Sequence, residues 1–157
     1  MVRLVGITTG GGVMILSKVF RDNRRHITRA DYQDKPVLLS SDNVNLPKVG
    51  SLQSRVLRRL FQVGQTLSHR EFDFVSCSYR LGGYVGFLRD KGWTIVNHDE
   101  TCQTKDVVPR KVLFTRYELF ATFSQELQER IKLFCKAVDK FELDAATNSI
   151  HINKKLN

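Results

Sequence analysis

Ser51-Leu-Gln-Ser-Arg-Val-Leu-Arg-Arg-Leu-Phe-Gln-Val-Gly64 and, a few residues on, Ser68-His-Arg-Glu71 form the stretch on which the fold turns. In the first piece Val56, Leu57, Leu60 and Phe61 recur at helical spacing. Ser51 or Ser54 can accept bonds from the free amides of that helix start, and Gly64 offers a stop. Ser68 and Glu71 stand at capping-box spacing, each able to satisfy the other's backbone amide. With Phe72 and Val75 on one face, they predict a short second helix. A third is predicted from about Tyr79 to Lys91, with Leu81, Val85 and Leu88 as its apolar face and Gly92 as its end.

Past Gly92 the residue types change. Trp93-Thr-Ile-Val-Asn97 and Val112-Leu-Phe-Thr-Arg-Tyr117 are rich in β-branched and aromatic residues and read as two strands, with the polar residues His98 to Asp106 as a hairpin loop between them. Three helices followed by a hairpin is the element order of a winged helix-turn-helix. The expected fold is therefore α+β and mainly helical, with that domain over residues 51–120. A basic globular domain with the same order of elements is the plainer alternative.

A long amphipathic helix is expected over residues 121–145. Phe123, Leu127, Ile131, Phe134, Val138 and Phe141 follow one another at steps of four or three and lie on one face. Periodicity leaves two readings open: a helix packed back on its own domain, or a dimer contact. Residues 146–157 are polar and read as a disordered tail. Residues 1–50 read as a flexible or partly extended basic arm with Arg21, Arg24, Arg25 and Arg29, able to lend one strand. Met14 to Phe20 is strand-like, and Met14 is a second candidate start.

The chain has 157 residues, 41% apolar and 26% charged, enough for one domain with a core of its own. No apolar run reaches the length of a membrane span, and the opening residues do not make a secretory signal, so a soluble protein is expected. Lys and Arg number 25 against 16 Asp and Glu, a formal charge of +9, which favours a polyanionic partner and nucleic acid ahead of a membrane surface. Cys77, Cys102 and Cys135 are odd in number and far apart, as in a reducing compartment. No catalytic set is legible, and no enzyme activity, metal or cofactor is expected. The glycine run ending at Gly12 is followed by Val13 and Met14 where a phosphate loop needs lysine and a hydroxyl residue, and His26, His69, His98 and His151 are scattered.

Residues 54–64, 66–71 and 80–95, with the junction Leu88-Arg-Asp-Lys-Gly-Trp-Thr-Ile95, resemble the helix-turn-helix domains of small phage and prophage regulatory proteins. The match spans about residues 52–117, and the pair Gly82-Gly83 departs from it by weakening the third helix. The resemblance implies phage gene regulation and names neither operator nor partner. The expectation built beside it is a regulator in a bacterial cytoplasm, with double-stranded DNA as partner and the C-terminal helix as candidate homodimer contact. If the third helix enters a major groove, Ser78, Tyr79 and Arg80 stand at its reading end, Arg80 as a fork onto guanine, with Gly83, Gly86 and Asp90 on the same side. Ser68 and Arg70 would seat a phosphate at the second helix's start. Gln103, Lys105, Arg110 and Lys111 would do so from the wing, whereas Asp90, Asp99 and Glu100 would oppose phosphate. The alternative function is an antirepressor or adaptor that grips a phage or host repressor protein instead of DNA.

Overall fold

The computed structural model describes residues 26–62 and 66–155, with side chains through residue 148. Gly64, Arg21, Arg24, Arg25, the Met14–Phe20 segment and His151 lie outside that description, wholly or in their side chains. The elements run β1 (Val37–Leu39), α1 (Leu52–Leu60), β2 (Leu67–Ser68), α2 (His69–Ser76), α3 (Leu81–Asp90), β3 (Ile95–Gln103), β4 (Lys111–Leu119), β5 (Ala121–Phe123) and α4 (Gln125–Lys155), after a short 3-10 turn at Arg29–Tyr32. The fold is α+β, with two small sheets and a long C-terminal helix.

Local chemistry starts each helix. Ser51 caps α1, its Oγ accepting from Ser54 N at 3.1 Å. Val56, Leu57 and Leu60 then face inward. At α2 both halves of the capping box form: Ser68 Oγ accepts from Glu71 N, and Ser68 N donates to Glu71 Oε2 at 2.8 Å. The helix stops where Cys77 turns left-handed, with φ +49°. The third helix is shorter than expected, because Arg80 is its cap and leaves Tyr79 in the turn.

Strands β2, β4 and β3 lie side by side in that order, all antiparallel neighbours. Residues 98–103, expected in a loop, extend β3 instead, because each finds a partner across the ladder: His98 meets Arg116, Asp99 meets Thr115 and Glu100 meets Phe114. The second sheet pairs β1 with β5 in parallel, Leu39 opposite Phe123. Its first strand comes from the arm over residues 1–50, expected to be flexible or partly extended and able to lend one strand. Residues 26–50 are instead packed down: Ile27, Leu39 and Val44 are buried, Asn45 N donates to Lys91 O at 2.9 Å, and Trp93 Nε1 donates to Asn45 O at 2.9 Å.

The core centres on Trp93, Phe72, Leu57, Leu81 and Leu88. Phe61 stands edge-on to Trp93, Phe123 and Phe134, tying α1, β5 and α4 together. The two readings of the C-terminal stripe are decided here. Leu127, Ile131, Phe134 and Val138 are buried in the core of their own chain, with Phe123 packed against it. Only Phe141, 45% exposed, remains for another surface. The stripe is thus not free to form a dimer contact, because the small domain needs this helix to cover its own core. Beyond residue 145, where a frayed tail is expected, the helix continues to Lys155.

Candidate functional site

Helix α3 rests on Leu81, Val85 and Leu88 and turns its other side to solvent. Arg80, Gly83, Phe87 and Asp90, at steps of three or four, form the exposed side. Gly86, expected among them, is buried, and Phe87 takes its place at 38% exposure. The shift follows from the core contacts, which rotate the helix toward Val85 and Leu88. An added Cβ at Gly83 would meet nothing within 4 Å, so this position stands open.

The turn from Cys77 to Arg80 leads into this face. Tyr79 is 83% exposed and Arg80 exposed, as a reading end requires. Ser78 is half-buried, and its hydroxyl hydrogen-bonds the Tyr84 hydroxyl at 2.9 Å, an orienting contact within the protein. Ser68 is buried and engaged with Glu71, so the serine expected to seat a phosphate is occupied by the cap, while Arg70 beside it is exposed.

The β3–β4 hairpin follows α3 in the chain and carries Gln103, Lys105, Arg110 and Lys111, all exposed. Arg110 donates to Asp106 at 2.9 Å in an open i,i+4 pair. Two of the three acids expected to repel phosphate are engaged by partners within the fold. Asp99 accepts from His26 and Thr115, bonds that hold its carboxyl below the ordinary range, and Glu100 accepts from Arg116 at 2.8 Å. Arg70, Arg80, Lys91, Lys105 and Lys111 make no ion pair among the described residues, and Lys91 lies over the Phe87 ring. These cations are carried by α2, the two ends of α3 and the hairpin.

No known family model matches the chain, and neither a curated protein nor a solved structure matches it. The site is therefore read from its own chemistry. Among the described residues no group of three or more His, Cys, Asp or Glu is placed to hold a metal, and no helix is long and apolar enough to cross a membrane.

Two features escaped the sequence reading. Phe74 is 88% exposed at the end of α2, and Val75, expected to face inward with Phe72, is exposed as well. Their helical positions carried the signal, since only Phe72 of this helix reaches the core. The second is a cleft of about 620 Å³ between the first turn of α2 and β4, lined by His69, Arg70, Glu71, Leu113 and Phe114. Nothing local marks it, because it exists only once β2 pairs with β4 at Leu67 and Ser68.

Proposed function

We propose that this chain is a duplex-DNA-binding transcriptional regulator of the phage and prophage type, built on a winged helix-turn-helix. Three features support the reading. Helices α2 and α3 are joined by the four residues Cys77–Arg80, the turn length of a helix-turn-helix. The hairpin follows α3 directly, and β2 completes the sheet at its base. The observation that carries most weight is the solvent-facing side of α3, with Arg80 at its amino end, in a chain that also exposes cations on α2 and the hairpin. In this reading α3 lies in the major groove and Arg80 reaches a base edge. Arg70, Lys91, Lys105, Arg110 and Lys111 meet phosphates and set the register.

Salt dependence tests the electrostatics. With about six phosphates neutralised, log K falls against log salt with a slope near −5. Arg80→Ala is expected to lose about 1–3 kcal/mol on the preferred site and less on random duplex. Fluorescence anisotropy on labelled duplexes reads both, and absence of binding even at low salt rules the proposal out.

The repressor-binding adaptor is retained as a second reading because Phe74 and Tyr79 expose large apolar surface beside α3. It predicts the opposite pattern. Phe74→Ala would abolish capture of a purified repressor, while Arg80→Ala would leave it unchanged.

A further inference from the structure

The backbone geometry of β4 identifies its open side. Thr104 N donates to Arg110 O at 2.8 Å, and Phe120 N donates to Thr94 O at 2.9 Å. In an antiparallel ladder, bonded pairs alternate with non-bonded ones. Those two contacts therefore place the bonded pairs at Cys102 with Val112, Glu100 with Phe114 and His98 with Arg116. The N–H and C=O groups of Lys111, Leu113 and Thr115 consequently point to the other edge of the strand. Among the described residues that edge is paired at Tyr117 and Arg116, by Leu67 and Ser68. From Lys111 to Thr115 no strand pairs with it among the described residues. Pro109 closes the far end, since it has no N–H to offer.

The three central side chains along this edge, Val112, Leu113 and Phe114, are apolar where an edge strand ordinarily carries charge. Leu113 is 66% exposed, Val112 is exposed and Phe114 half-buried. Such a strand is a template for another strand.

We propose that the Lys111–Thr115 edge of β4 is a homodimer seam, at which β4 of a second copy pairs antiparallel about a two-fold axis at Leu113. The segment complements itself. Leu113 faces its own counterpart, and Lys111 faces Thr115 at both ends, so every outward N–H and C=O in the segment is used. On the other face Val112 meets Phe114 in both directions, an aliphatic–aromatic pair of the kind that stabilises sheets. No like charges fall opposite each other within the segment. At the next step Arg116 faces Arg110 of the second copy, and each is already paired in its own chain, Arg116 with Glu71 and Glu100 and Arg110 with Asp106. The cleft beside α2 is room for the added strand, which needs about 4.8 Å of lateral spacing. A second copy is the occupant whose apolar residues match by symmetry, and the C-terminal stripe, the other dimer candidate, is largely buried in its own chain.

A seam of this length belongs with small interfaces, below roughly 1,200 Å² in total, so the dimer is expected to depend on concentration. Sedimentation equilibrium of the full chain without DNA tests it. The expected mass rises with concentration from 18.1 kDa toward twice that value. Leu113→Lys is expected to stay at 18.1 kDa throughout with an unchanged thermal melt, since Leu113 is exposed in the single chain. Leu133→Lys, at an exposed site on α4, is the control and is expected to dimerise like the parent chain. A parent chain that remains at 18.1 kDa overturns the proposal. So does a folded Leu113→Lys variant that still dimerises. Because no DNA is present, either result leaves the duplex-binding reading to its own test.

Discussion

Gly92 joins α3 to β3 with φ +93°, and a Cβ there would stand 2.1 Å from Asn43 O. Two penalties coincide: a left-handed backbone that costs most residues about 1–2 kcal/mol and an overlap with backbone that cannot swing aside. Gly92→Ala is therefore expected to lose about 2–5 kcal/mol in urea unfolding. Gly83→Ala, with open space around it, should gain up to about 1 kcal/mol because alanine is the better helix former. A gain at position 92 would show that the strap over residues 43–45 yields easily. Gly92 was legible as a helix stop from its place after Lys91, but its contact with Asn43 was not, since nearly fifty residues separate the two. Arg89 shows the same division. The junction Leu88-Arg89 stood out in the sequence, yet only the fold buries Arg89 and gives its guanidinium the carbonyl of Ile95 and the side chain of Asn97.

Helix α2 shows how much a single element can encode by itself. Its cap lies within four residues, so serine and glutamate find each other without help from the rest of the chain, and the boundary was readable. Ser68→Ala is expected to cost about 1 kcal/mol. Glu71 does more than cap. Burial works to raise its pKa, but bonds from Arg116 and Ser68 outweigh that and hold the carboxyl below its ordinary value of 4.5. A depressed acid stabilises the fold fully above 4.5, and that contribution fades as pH falls through the lower folded value. Stability should therefore drop on acidification below about 4.5, and Glu71→Gln should flatten that limb of the curve. Urea midpoints between pH 3 and 6 (roughly the range over which carboxylates titrate) measure the slope, and an unchanged slope would show that Glu71 is not coupled to folding. Strand β3 is the contrasting element. Its polar second half looked like a loop because what makes it a strand, the line of partners on β4, lies elsewhere in the chain.

At the scale of the molecule, α4 and residues 26–50 close the domain from opposite ends of the sequence. Leu127 is fully buried at the start of α4, near where β5 pairs with β1. Leu127→Ala is expected to cost about 2–5 kcal/mol, the usual penalty for a buried leucine cavity. Its mass in solution should match that of the parent chain, because the residue serves the chain's own core. Loss of self-association without loss of stability would point to an interface instead. Ion pairs from Arg58 to Asp139 and from Arg55 to Glu142 register the same helix against α1. The sequence by itself determined where α1 and α2 begin, the apolar period of the helices and the order of helices and hairpin, because caps and periodicity act over a few neighbouring residues. Tertiary structure alone decided what the C-terminal stripe covers, that residues 26–50 are packed, which side of α3 is open and which edge of β4 is left unpaired among the described residues. Each of those depends on burial and pairing between residues far apart in the chain, and no local pattern records them.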